Sequence, residues 1–196
     1  GDNYWRTGNY EASRQACSES FVLYRILHHS EGEARTLNRL GMVAFEQGDY
    51  VRANEQIQSA LKIAESTNNP VARATSLNNL GLVALRQGNY ADAVHYFETT
   101  LSLHRENGER WKVASTLLNL GTLAGIQGNL EGADHNFNDS LQICRSIGDR
   151  RGIGLALDNL GFVAQLRGQL DQATTYLEES LSIAKAIGNR QGMANT

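Results

Sequence analysis

The sequence predicts an all-α fold of stacked antiparallel helix pairs, and three observations carry that prediction. LNRLG at 37–41 returns as LNNLG at 77, LLNLG at 117 and LDNLG at 157, shifted by 40 residues each time without an insertion. Within one period Leu77, Leu80, Gly81 and Ala84, then Ala93, Phe97 and Leu101, recur every three or four positions, as helices buried on one face require. A single proline in 196 residues leaves very few helix breakers. Self-similarity at a period between ~20 and ~50 residues marks a repeat array, in which each unit buries its apolar face against the next.

Each element of the period has a local reason. QGDY at 47 returns as QGNY at 87 and QGNL at 127, with RGQL at 167 and an earlier TGNY at 7. These stretches interrupt the helical pattern, so a repeat reads as a helix A of about four turns, a tight turn, and a somewhat longer helix B. The turn glycine supplies a left-handed cap, and the Asp or Asn after it caps the next helix. SALKI at 59 becomes TTLSL, DSLQI and ESLSI at the same spacing inside helix B.

GDRRGIG at 148–154 concentrates three glycines and two arginines, a composition able to wrap a phosphate. It shares its phase with TNNPVAR at 67–73, NGERWKV at 107–113 and IGNRQGM at 187–193. Gly148 therefore ends a helix B and Asp149 caps the next helix A. A phosphate loop needs a preceding strand and, in its Walker form, a Gly-Lys-Ser/Thr ending; the sequence offers neither.

The repeats fall near 31–70, 71–110, 111–150 and 151–190, with partial ones at 1–30 and 191–196. Residues 1–8 match the last part of a helix A and 189–196 the start of another, and no repeat with a polar outer face closes either end. The expectation is one solenoid over 1–196, part of a longer array, with uncapped ends that self-associate.

Composition narrows the partners. The formal net charge of −3 gives no overall attraction for a polyanion, so direct binding to nucleic acid is not expected. No apolar run reaches the ~18 residues of a membrane span. Cys17 and Cys144 lie far apart and form no CxxC pair, which fits buried small residues in a reducing compartment. The expectation is a soluble cytoplasmic chain with no membrane partner.

The unit resembles the tetratricopeptide repeat, whose signature is W-x2-L-G-x2-Y, then A-x3-F, then P. The matching residues are Leu77, Leu80, Gly81, Ala84, Ala93 and Phe97; then Leu117, Leu120, Gly121, Ala124, Ala133 and Phe137; then Leu157, Leu160, Gly161, Ala164, Ala173 and Leu177. The resemblance covers essentially the whole chain and implies a right-handed superhelical solenoid. The sequence departs from the pattern in its period of 40, against ~34 in the family, which predicts longer helices and wider loops. Ala44, Ala84, Ala124 and Ala164 stand where an aromatic is usual; only Tyr4 restores it, and the terminal proline is missing. The longer period is similar to the variety in sensor regions of bacterial multidomain regulators, the maltose-activator type of signal-transducing ATPase, and in eukaryotic spindle-orientation adaptors.

In the family the concave wall is built mainly from helices A and forms the binding groove. The resemblance places that groove on Asn38, Arg39 and Met42, on Asn78, Asn79, Leu82 and Arg86, on Asn119 and Thr122, and on Asp158, Asn159 and Phe162. Asn79, Asn119 and Asn159 form the sharpest row. Asparagine is a poor helix-interior residue, so its return needs a compensating contact. Two readings stand side by side: a ladder of amides holding the backbone of an extended peptide, or bonds to the neighbouring repeat that fix stacking. Met42, Phe45, Leu82, Leu85, Phe162 and Leu166 either grip an apolar partner or are partly covered by the next repeat, and partial burial is the favoured reading. Arg35, Arg39, Arg73 and Arg86 suit a carboxylate or a solvated surface. The lysine-and-asparagine carboxylate clamp of chaperone cofactors is not reproduced, since the lysines are Lys62, Lys112 and Lys185.

Catalytic patterns are absent from the sequence: no GxSxG, no HExxH, no Cys-His arrangement in a matching context. His95 and His135 share a repeat phase on successive B helices, but a solvated outer face is the favoured reading over a metal site. His28 and His29 sit near the end of a B helix, where a cation suits the dipole. The sequence thus predicts a non-enzymatic interaction module, without cofactor or metal, that binds a peptide or protein segment as part of a larger regulatory protein. The alternative is a sensor domain whose wall closes on a small-molecule inducer in a bacterial transcription regulator or signal-transducing ATPase.

Overall fold

The computed structural model describes residues 10–188. Among them nine helices and no strand are found: α1 (Tyr10–Ile26), α2 (Ser30–Glu46), α3 (Tyr50–Ser66), α4 (Pro70–Arg86), α5 (Tyr90–Glu106), α6 (Arg110–Ile126), α7 (Leu130–Ile147), α8 (Arg150–Leu166) and α9 (Leu170–Ala186). Even-numbered helices are the A helices and odd-numbered ones the B helices. Tyr4, the start of the TGNY turn, and the helix opening expected at 189–196 lie outside the described residues. The helices group into two compact units, the first ending at Leu103 and the second beginning at His104. The first contains α1 to α4 and α5 as far as Leu103; the second contains α6 to α9.

Two expectations about lengths are corrected. Helices B are not longer than helices A: all span 17 residues except α7, with 18. The loops are not wider either, since the turns are three residues long, as at 47–49 and 67–69, and only two after α7. The long period is spent in the helices, because the A helix begins directly after its capping residue and the B helix directly after the turn.

The turns explain why the period is so uniform. At every described turn an amide five residues on closes back onto the last helical turn, as in Asp49 N–H to Ala44 O, Asn129 N–H to Ala124 O and Asp149 N–H to Cys144 O, each 2.9 Å. That is the Schellman closure, and it needs a left-handed residue just before the donor. Gly148 supplies it with φ 72°, while at the two turns without glycine His28 (φ 51°) and Asn68 (φ 49°) adopt the same conformation. Asp149 then accepts from Gly152 N–H at 3.0 Å, capping α8, as expected for a joint between helices. His29 departs from its expected role: its Nδ1 accepts from Gly32 N–H at 2.9 Å, so it caps the start of α2 as a lone-pair acceptor.

Packing inside each pair is a ring or branched side chain laid over a glycine. A Cβ on Gly81 would stand 2.5 Å from the Phe97 ring, and one on Gly121 2.5 Å from Phe137. Ile57 and Leu177 take the same place over Gly41 and Gly161. The first unit's core gathers Ala44, Ala53, Ile57, Leu80 and Val83; the second's gathers Ala133, Phe137, Leu141, Leu157 and Leu160. These are the positions marked by the 40-residue period. Burying a large side chain of this kind contributes ~1.5–3 kcal/mol.

Candidate functional site

In the first unit α2 and α4, with one side of α1, enclose an open cavity of about 300 Å3. Asn38, Arg39 and Met42 line it from α2, Asn79 with Val71 and Thr75 from α4, and Ser13 and Cys17 from α1. Four of the expected groove residues thus come together at one place. Their phase explains it: on each A helix they lie within one stripe, and α2 and α4 pack side by side in the same direction.

The asparagines here tie the helices together. Asn38 is buried, and its Nδ2 donates to Ser76 Oγ at 2.8 Å and to Ala34 O at 3.2 Å. Asn79 Nδ2 donates to Asn38 Oδ1 at 3.2 Å. A buried polar chain of this kind costs stability if broken and fixes register if complete. The stacking contact therefore runs through Asn38 and Asn79 together. Asn79 is half-buried at the cavity wall, and a primary amide has capacity beyond one bond.

Elsewhere the expected residues are more dispersed. Asn78 and Leu82 are half-buried on α4, and Arg86 is exposed with its guanidinium 5.8 Å from the Phe45 ring centre. In the second unit Asn159 Nδ2 turns back onto Leu155 O of its own helix at 2.8 Å, so the bonding seen at Asn38 and Asn79 is not repeated there. Asn119 and Asp158 are half-buried; Thr122 is exposed, its hydroxyl donating to Leu118 O at 2.9 Å. Partial burial describes Met42, Phe45, Leu82 and Leu85, whereas Phe162 and Leu166 stand 59% and 54% exposed. Arg35 is exposed, donating to Tyr24 Oη at 3.0 Å.

Sequence reading missed the cavity's other wall. Val71, Thr75 and the Asn69 turn lie on the first turns of α4, and Ser13 and Cys17 on a B helix, whereas the family resemblance places the groove on the later turns of helices A. It also missed a buried titratable group. His104, 4% exposed, places Nδ1 2.9 Å from Glu109 Oε2, and Lys112 Nζ lies 2.6 Å from Glu109 Oε1. Burial pushes the His104 imidazole below its ordinary pKa, against the opposing pull of Glu109. The Lys112 ammonium holds the Glu109 carboxyl low. Glu109 is thereby diverted from capping α6, and its side chain makes no cap bond.

Cys17 and Cys144 are both buried and unpaired, and burial raises the Cys144 thiol. Among the described residues no three of His, Cys, Asp and Glu converge to hold an ion. His135 is largely exposed and pairs with Asp139 at 3.6 Å. No described helix is long and apolar enough to cross a membrane.

A family model of the tetratricopeptide repeat matches residues 1–66, 72–146 and 112–186. The chain belongs to the tetratricopeptide-repeat family. No curated protein sequence matches it. Among solved structures, BtubC from P. vanneervenii is similar with a TM-score of 0.81 at 20% identity, over 95% of this chain and 81% of that one. A signal-transduction ATPase with numerous domains and a tetratricopeptide-repeat sensor, from Pyrococcus horikoshii, aligns at TM-score 0.84 and 16% identity over 97% of this chain and 29% of its own. The Rap conjugation regulator of plasmid pLS20, solved with the Phr* peptide, gives TM-score 0.81 at 18% identity over 98% of this chain and 53% of its own. At these identities the likeness shows the tetratricopeptide solenoid fold.

Proposed function

We propose that this chain is a non-catalytic binding module that takes a peptide or protein segment on the wall of its A helices, within a larger cytoplasmic regulatory or signalling protein. The observation that carries the reading is the cavity between α2 and α4, where Asn38, Arg39, Met42 and Asn79 meet. Asn79 offers an amide donor and acceptor to a peptide backbone, Met42 and Val71 offer apolar contact, and Arg39 a cation for an acidic group. Asn38 acts through Asn79, holding its amide in place. Asn78, Leu82 and Arg86 would extend the wall along α4, and Asn119, Thr122, Asp158, Asn159 and Phe162 would serve it in the second unit. The Rap neighbour solved with a peptide supports a ligand of this class.

Peptides selected from a random displayed library against the full chain test this reading. Affinity of the selected peptide falls at least tenfold in Asn79→Ala and in Arg39→Ala while the helical circular dichroism is kept. Unchanged affinity in both folded variants contradicts it.

A small-molecule inducer is the second reading, favoured by the cavity's volume of about 300 Å3, which lies at the lower end of the ~300–1,000 Å3 range of small-ligand sites. It is supported by the sensor described for the Pyrococcus horikoshii neighbour. A metabolite that co-purifies with the wild type and is lost with Asn79→Ala, in the absence of peptide binding, selects it. Self-association through the array ends is a separate proposal, checked by whether the mass in solution rises with concentration.

A further inference from the structure

On the B-helix side of α2 the first unit holds a second open cavity, of about 240 Å3. Leu37, Leu40 and Val43 of α2 form its floor and Phe21 of α1 one wall, while Arg14 of α1 and Arg52 and Gln56 of α3 bring polar groups to it. Leu37 and Leu40 lie on a different stripe of α2 from Asn38, Arg39 and Met42, so this place is separate from the proposed peptide site. The volume falls just below the ~300 Å3 at which small-ligand sites begin, which suits a single ring.

The repeats themselves show which ring fits. At the phase of Gln56, α5 carries Tyr96 and α9 carries Tyr176. Tyr96 packs on the clusters that hold Leu77, Leu80 and Val83, and Tyr176 on the one that holds Leu157, Leu160 and Val163. These are the counterparts of Leu37, Leu40 and Val43, so at two places a tyrosine ring fills the space that Gln56 leaves open. One turn back on α9, Gln172 Nε2 donates to Tyr176 Oη at 3.0 Å. Arg52 has the phase of Gln172, so its guanidinium is in reach of the far end of a ring lying in the open cavity. The charge at the rim differs as well: Arg14 and Arg52 stand where α3 and α5 carry Asn54 and Asp92, and where α7 and α9 carry Asp134 and Gln172. Glu11 accepts from Arg14 Nε and Nη2 at 3.2 and 2.5 Å, which leaves the other edge of that guanidinium for a second acceptor.

We propose that this cavity binds a small aromatic carboxylic acid, its ring lying where the tyrosine rings lie in the sibling places and its carboxylate meeting Arg52 and Arg14. The ring buries apolar surface against Leu37, Leu40 and Phe21, and the planar guanidinium matches the planar carboxylate. The acid takes the place of the tyrosine oxygen that Gln172 meets on α9 and brings a second oxygen for the second arginine. That geometry puts the acid on the ring itself. No unmodified protein side chain offers such a group, so the occupant is a free aryl acid.

The test titrates the isotope-labelled full chain with 4-methylbenzoate, a tyrosine side chain with carboxylate in place of hydroxyl, and follows the backbone amide shifts. Saturable changes are expected at Ser18, Val22 and Gln56, which line the cavity. Affinity falls at least tenfold for the neutral 4-methylbenzamide, and at least tenfold for the acid in Arg52→Gln, the residue α9 carries at that phase. Arg14→Gln weakens it about threefold. Gln56→Tyr supplies the sibling ring, keeps the helical circular dichroism and abolishes binding. Absence of saturable changes, or binding kept in folded Gln56→Tyr, overturns the site. Equal affinity for the benzamide or insensitivity to Arg52→Gln overturns the pairing with the acid, and insensitivity to Arg14→Gln overturns that residue's share in it. N-acetylphosphotyrosine amide binding at least tenfold tighter than 4-methylbenzoate overturns the free acid in favour of a modified side chain. Binding lost with Asn79→Ala and kept with Gln56→Tyr moves the acid to the cavity between α2 and α4, which overturns this inference while leaving the proposed function standing.

Discussion

Two glycines in the second unit, changed to the same residue, should move stability in opposite directions. Gly121 and Gly154 both sit inside A helices, α6 and α8. Replacing either with alanine removes backbone freedom from the unfolded chain and improves helix propensity by about 1 kcal/mol. That gain is common to both and cancels in their difference. What differs is space: a Cβ on Gly154 meets nothing nearer than Ser180 Oγ at 3.8 Å, an ordinary contact. A Cβ on Gly121 meets three atoms of the Phe137 ring at 2.5, 2.7 and 2.9 Å. Phe137 is 3% exposed, so its ring has nowhere to swing and must retreat against the core. Overpacking of this kind costs about 1–3 kcal/mol, and that is the expected gap between the two variants. At ~2–4 °C per kcal/mol for a chain of this size, the melting temperatures should differ by roughly 2–12 °C, with Gly154→Ala above the wild type. Thermal unfolding followed by circular dichroism at 222 nm reads it directly. Equal shifts in the two variants would mean that Phe137 does not lie over Gly121, and the packing of α6 on α7 would be wrong.

Further outcomes follow from the same geometry. Gly121→Leu forces a whole side chain into the Phe137 ring and should lower stability by ~1–3 kcal/mol, measured by urea unfolding. Asp149→Ala removes the cap that accepts from Gly152 N–H and should cost about 1 kcal/mol, whereas Asp149→Asn keeps an acceptor and most of the stability, as Asn129 does at the equivalent turn before α7. Burial depresses the His104 pKa, so the unfolded chain takes up the proton first. Stability should therefore be level above the unfolded imidazole value of about 6.5 and fall as pH drops from there toward the lower folded value. His104→Ala, which restores the residue found at positions 64 and 184, should remove that part of the pH dependence. Glu109, also depressed, adds a separate loss further into acid, below about 4.5. Asn38→Ala strips Ser76 and Asn79 of a buried partner and should cost ~1–3 kcal/mol by chemical denaturation.

The architecture was legible because the period is strict. Leu77, Leu80, Ala93 and Phe97 are marked in the sequence by spacing alone, and all are buried. The GDRRGIG stretch could be resolved the same way: its siblings at other turns identified Gly148 and Asp149 as caps, and both perform that role. Length was harder to read, since nothing in the pattern says whether extra residues lengthen a helix or a turn, and the helices took them. The asparagine row shows the limit most clearly. Asn79 and Asn159 share a phase, yet one reaches across to Asn38 and the other folds back onto Leu155. The difference lies in the neighbour: Asn38 offers an oxygen to Asn79, while Leu118 occupies the matching position before Asn159. The His104 cluster was invisible because its partners, Glu109 and Lys112, lie across a turn and the other B helices carry Tyr24, Ala64, Cys144 or Ala184 at that phase.

The central claim is that ligand binding uses the wall of the A helices at the cavity between α2 and α4. The most direct measurement is a map of backbone amide chemical shifts of the full chain as a selected peptide is titrated in. The account predicts that the largest saturating changes fall on Arg39, Met42, Thr75 and Asn79. Changes confined to the exposed sides of α3 and α5, with those four residues still, would contradict it.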